Sequence, residues 1–185
     1  MLSQLIRLAA ALAAVFALAS CASDKTIGAT FDDIGAAASL KSVLVADRKH
    51  DYSDVDVTIF EGRLLLTGTM QSEEGRRTLA ENAWKADNIT QVIDEVVVAD
   101  STTFGQGLED SRIDQAIKAK LIGDRGVTSG NYKIAVSRGV VYLLGVARDK
   151  IELDRVLHSA RTTAGVEKVV SHVLYRDDPA RNVRR

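Results

Sequence analysis

Gly139-Val140-Val141-Tyr142-Leu143-Leu144-Gly145 repeats a pattern met 77 residues earlier, Gly62-Arg63-Leu64-Leu65-Leu66-Thr67-Gly68. In front of each run lies an alternating stretch, Val55-Asp56-Val57-Thr58-Ile59 in one case and Ile134 with Val136 in the other. Alternation, a turn dipeptide and a second apolar run read as a β-hairpin. The turns are Glu61-Gly62 and Arg138-Gly139. Tight hairpin turns need φ > 0, which glycine adopts at no steric cost. Gly62 and Gly139 are therefore read as structural turn residues, and Gly68, Gly145 and Gly165 are assigned the same structural role.

The same offset holds well beyond the hairpins. Asp33 falls on Asp110, Leu44 on Leu121, Asp47 on Asp124, Arg48 on Arg125, Ala83 on Ala160, Val92 on Val169 and Val96 on Val173. No gap is needed between Asp33 and Asp100, so the chain holds two copies of one module of about 68 residues. Each copy opens with a helix, clearest in the second. There Ser111-Arg112-Ile113-Asp114 resembles a capping box, Ile113, Ala116, Ile117 and Leu121 share one face, and Gly123 is a stop. A second helix starts near Ser72 or Asp149, and its stripe in copy two is Leu153, Val156, Leu157, Ala160 and Ala164. Final strands cover Val92 to Val98 and Val169 to Tyr175. The fold class is α+β: two tandem α-β-β-α-β modules, each a small three-stranded mixed sheet with two helices on one face. Modules this small are marginal alone, so the copies are expected to pack together.

With "Gly-Val-Val-Tyr-Leu-Leu-Gly" (139–145) and "Gly-Val-Glu-Lys-Val" (165–169), the module resembles the BON domain of bacterial envelope proteins. Copy one has "Asn-Ile-Thr-Gln-Val" (88–92), with Asn88 where the family has glycine; asparagine is the next best residue for a left-handed helix end. The repeat places the domains at 33–100 and 110–177, with a linker at 101–109 and a basic tail at 178–185. The resemblance covers nearly all of the chain after residue 20. It implies binding to phospholipid surfaces, support of envelope integrity, and neither catalysis nor a cofactor.

Residues 1–20 read as a signal peptide: Arg7 is the only charge, and twelve apolar residues follow from Leu8 to Ala19, too few to span a bilayer. Cys21, the only cysteine, follows in Leu18-Ala19-Ser20-Cys21, which resembles the bacterial lipobox. Cys21 is thus the expected lipidated N-terminus, with 21–32 as tether, and Ala22 favours the outer membrane. A single cysteine also excludes an intramolecular disulfide.

His50, His158 and His172 lack partners at metal-ligand spacing, and Gly105-Gln106-Gly107 lacks the strand-glycine-helix context of a phosphate loop. Neither an enzyme nor a metal site is expected. The informative feature is charge. Residues 22–104 hold 8 Lys+Arg and 15 Asp+Glu, net −7; residues 105–185 hold 15 and 10, net +5. The basic copy suits an anionic phospholipid surface, the expected partner, rather than nucleic acid. Equally, opposite charges could dock the copies onto each other. Opposite the core stripe of its first helix, Arg112, Lys118 and Ile122, with Arg125 just beyond, form the candidate lipid-binding face. The alternative function is a protein-interaction or self-assembling adaptor for envelope or cell-wall machinery, with the acidic first copy holding an envelope protein partner.

Overall fold

The computed structural model describes residues 27–99 and 104–182. The signal peptide, Cys21 and the end of the basic tail, Arg184 and Arg185, lie outside the described residues.

Copy one runs α1 (Ile27–Ala46), β1 (Val55–Phe60), β2 (Arg63–Met70), α2 (Glu73–Ala83), β3 (Gln91–Asp94) and β4 (Val97–Val98). Copy two runs α3 (Phe104–Gly123), β5 (Tyr132–Ser137), β6 (Val140–Ala147), α4 (Lys150–Arg161) and β7 (Lys168–Tyr175). The hairpin registers superpose at the 77-residue offset: Val55 faces Gly68 as Tyr132 faces Gly145, and Phe60 faces Arg63 as Ser137 faces Val140. The third strand of each copy then adds parallel to the second. Both central residues of each turn have positive φ: Glu61 and Gly62 at 52° and 73°, Arg138 and Gly139 at 54° and 76°. Asn88, at φ 59°, occupies the left-handed position that Gly165 fills at 86°.

Ser72 and Asp149 cap α2 and α4, accepting from the Gly75 and Glu152 amides at 3.1 and 2.8 Å. The start of the first helix is earlier than the capping-box reading placed it. α3 begins at Phe104, inside the segment read as linker, and Ser111 sits mid-helix with its hydroxyl donating to the Gly107 carbonyl. Back-bonding of this kind lets serine sit inside a helix without ending it. Ile113, Ile117 and Leu121 are buried, whereas Ala116 is exposed; Ala164 is exposed and lies beyond α4. The final strand of copy one is split, because the Asp94 carboxylate accepts the Val96 amide and turns the chain between β3 and β4.

Side-chain alternation along the central strands sets the layering. On β2, Leu64, Leu66 and Met70 join Ala36, Leu40 and Leu79 in a core beneath α1 and α2. On β6, Val141, Leu143 and Ala147 pack with Ile113, Ile117, Leu121 and Val156 beneath α3 and α4. The other faces meet each other: Phe60 and Leu65 from copy one pack on Ala135, Tyr142, Leu144 and Val146 from copy two. The order is helices, sheet, sheet, helices, so α1 and α3 occupy opposite outer layers. Fully burying one such large apolar side chain contributes about 1.5–3 kcal/mol, so this shared core, rather than bulk charge attraction, dominates the docking of the copies.

Candidate functional site

α3 is an outer-layer helix of 20 residues, about 30 Å long. Ile113, Ile117 and Leu121 bury its inner face, which turns Ile122 outward at 76% exposure, the highest value among the exposed large hydrophobic residues described. Arg125 follows in the bend after the helix, exposed and without a carboxylate partner among the described residues. The other two cations of the candidate face are partnered along the helix. Lys118 Nζ lies 2.7 Å from Asp114 Oδ2, and Arg112 Nη1 3.5 Å from Glu109 Oε2. The i,i+4 and i,i+3 spacings set each pair side by side on the helix surface. Lys120 points elsewhere, donating to Thr163 Oγ1 and the Thr162 carbonyl at the end of α4. There a cation satisfies orphan carbonyls at the helix C-terminus.

Two clefts flank this helix. One, of about 490 Å³, lies between Lys118 and Ile122 of α3, Val57 of β1, and Tyr132 and Ile134 of β5. The other, of about 470 Å³, is acidic, with Asp54, Asp56, Asp110 and Asp114 on its wall and Lys118 at its border. Desolvation pushes the Asp56 pKa up, and the neighbouring Asp110 charge adds to the shift. Among the described residues no group of three or more His, Cys, Asp or Glu is placed to hold a metal ion, and no helix is long and apolar enough to cross a membrane.

Several residues that position this surface were not singled out from sequence. The Asp110 carboxylate accepts the Arg138 and Gly139 amides at 2.7 and 2.9 Å, and Asp33 accepts those of Glu61 and Gly62, both at 3.0 Å. The first helix of each copy therefore clamps its own hairpin turn. The signal was the Asp33–Asp110 identity across the repeat. Glu152, fully buried, accepts the Thr128 and Arg148 amides and ties the loop before β5 to the start of α4. Arg181 forks onto Glu61 at 2.9 and 3.0 Å, strapping the C-terminal segment to the turn of copy one. Of the histidines, His172 contacts Glu95, His50 contacts Asp47, and His158 is exposed on α4.

Two copies of one α+β module, joined sheet to sheet, define a tandem-repeat protein. Residues 32–100 and 109–177 each match the BON domain, and the chain belongs to the BON-domain family. It is 37% identical to a protein of Anaplasma centrale described by its position in the gshII 5′ region, over 66% of this chain and 82% of that one. It is 30% identical to the 21 kDa hemolysin of Actinobacillus pleuropneumoniae, over 65% of this chain and 62% of that one. It is 26% identical to the outer membrane lipoprotein DolP of Haemophilus influenzae, over 66% and 63% respectively.

Proposed function

We propose that the chain is a lipid-anchored periplasmic protein of the outer membrane that binds anionic phospholipid surfaces, supports envelope integrity and carries out no catalysis. The observation that supports this best is Ile122, an aliphatic side chain held in solvent at the end of α3 with Arg125 beyond it and Lys118 one turn before. Cationic stems around an exposed aliphatic group suit the headgroup–acyl boundary, where each Lys or Arg close to an anionic surface contributes about 1 kcal/mol. The similarity to an outer membrane lipoprotein supports the location, and Cys21 supplies the anchor. A second reading, as an adaptor, draws on the acidic cleft at Asp54, Asp56, Asp110 and Asp114, which fits a basic segment of a protein partner.

Co-sedimentation of residues 22–185 with vesicles tests the first reading. Binding is expected to appear when anionic lipid is included and to fall as salt rises. Absence of binding at low salt overturns the phospholipid reading and favours the adaptor.

A further inference from the structure

Among the described residues, α1 has an outer face unlike that of any other helix. Its inner stripe, Asp33, Ala36, Leu40 and Leu44, faces the core or clamps the turn. Its outer stripe, at positions four, seven and eleven beyond Ile34, is Ala38, Lys41 and Val45. All four outer residues are exposed, with Ile34 at 60% and Val45 at 73%. No acidic residue lies between Asp33 and Asp47, although residues 22–104 carry net −7. A helix that is apolar on both faces belongs either in a protein interior or at a membrane boundary, and this one is an exposed outer layer. Val45 and Lys41 are also the repeat counterparts of Ile122 and Lys118. Here Lys41 has no carboxylate partner among the described residues, whereas Lys118 is bound to Asp114.

The chain outside the structure says what covers this face. Five residues separate Cys21 from Ile27, where α1 begins, and the six fully extended steps between them reach only about 20 Å. Acyl chains on Cys21 therefore hold the start of α1 next to the bilayer, at a high effective concentration for any contact that α1 can make.

We propose that α1 is the face seated on the anchoring membrane, with Ile34, Ala38 and Val45 entering the headgroup boundary and Lys41 snorkelling beside them. This rests on the acylation of Cys21 set out above, but not on lipid binding by α3. Arg48 and Lys49 at the end of α1 are offset by Asp47 and Asp51, so the contact is apolar rather than Coulombic and does not need anionic lipid. Because α1 and α3 lie in opposite outer layers, one flat surface cannot take both. The two faces compete, neutral lipid favouring α1 and anionic lipid favouring the cationic end of α3.

Acylation consumes the only native thiol, so an introduced cysteine can be labelled alone. The acylated chain with Val45→Cys, Ala38→Cys, Ile122→Cys or Ile151→Cys, each carrying an environment-sensitive fluorophore, would be reconstituted into neutral phosphatidylcholine vesicles. Labels at 38 and 45 are expected to be several-fold better shielded from iodide than those at 122 and 151. Ala38→Cys removes no aliphatic bulk, so it keeps the test valid where Val45→Cys weakens the contact. An anchored chain with positions 38 and 45 as open as 151 overturns this proposal alone. A chain that carries no acyl mass and leaves the vesicles overturns the anchor and this proposal with it.

Discussion

Glu95 and His172 hold the same place in the two copies, 77 residues apart, and they touch: Nε2 of His172 lies 2.9 Å from Oε1 of Glu95. A position can meet its own counterpart only near a two-fold relation, so the repeats pack face to face as a homodimer would, but within one chain. Ile93 and Val170, also counterparts, border the same shared core. The sequences have diverged around this relation. On β2 the inward-facing Arg63, Thr67 and Thr69 stand where β6 has Val140, Leu144 and Val146. Arg63 Nη1 and both threonine hydroxyls are buried without a hydrogen-bond partner.

The Glu95–His172 contact should therefore couple the two modules. A double-mutant cycle of Glu95→Ala and His172→Ala, read by urea denaturation, is expected to give a coupling of about 0.5–1 kcal/mol, the range for a partly exposed pair. Strict additivity would mean that the contact contributes nothing to docking.

The glycines of the second strands should be the least replaceable. A Cβ at Gly145 would lie 2.1 Å from the Asn131 carbonyl oxygen, and one at Gly68 2.0 Å from that of Asp54. Both obstacles are backbone atoms. At Gly139 the nearest atom is the movable Glu167 Cγ, at 3.0 Å. Gly145→Ala and Gly68→Ala are expected to cost about 3 kcal/mol or more, and Gly139→Ala about 1–2 kcal/mol. Equal denaturation midpoints for Gly145→Ala and Gly139→Ala would refute the close approach.

Turn strain is carried by a non-glycine residue in each copy, with different consequences. Arg138, at φ 54°, is exposed, and its side chain is not engaged by a carboxylate among the described residues. Arg138→Gly should stabilise the protein by about 1 kcal/mol. Glu61, at φ 52°, has the same strain but holds the Arg181 fork. Glu61→Gly should gain nothing or lose stability, because it leaves a half-buried guanidinium unpaired. Thermal melts of the two variants shifting in the same direction by the same amount would remove the strap from the account.

Much of this architecture is legible in the residues, and the exceptions share a cause. The hairpins, their glycines and the helix stripes follow from local periodicity, which depends on one copy at a time. What escapes is anything set by the second copy. Leu64, Leu65 and Leu66 form one unbroken apolar run, and nothing local tells which of them faces helices and which faces the other sheet. Thr67 and Thr69 are polar yet buried, because a neighbouring sheet covers them. The first turns of α3 read as linker because Gly105 and Gly107 are poor helix formers. At the candidate site the exposure of Ile122 follows from the helical wheel, whereas the apolar outer face of α1 is overshadowed by the acidic total of its module.

Asp47 should give the protein a recognisable acid limb. The Tyr52 hydroxyl, the Lys49 amide and the His50 ring hold its carboxyl well below the usual carboxylate range. A depressed folded-state pKa contributes stability that is present above the unfolded value of about 3.9 and is lost as pH falls through the folded value. Asp47→Asn should thus be less stable than the parent at pH 7, and the gap should narrow steadily in strong acid. Urea midpoints of both proteins across the acid range test this; a gap that widens with acidification has the wrong sign.

The last prediction separates the two components of the α3 contact. Ile122 is exposed at 76%, so Ile122→Asp should melt like the parent; a sharp drop would show the side chain to be part of the core instead. Its loss of vesicle binding should persist at high salt, because an aliphatic contact is not screened. Arg125→Glu should weaken binding only at low salt. Lys118→Glu differs from both, since it replaces the partner of Asp114 with a second carboxylate at the border of the acidic cleft. That change should lower stability as well as binding, which makes Arg125→Glu the cleaner reporter of headgroup attraction. The decisive comparison is Ile122→Asp with Arg125→Glu on anionic vesicles at two ionic strengths, each checked by its melt. Native melts with undiminished binding in both variants would exclude the end of α3 as the lipid contact.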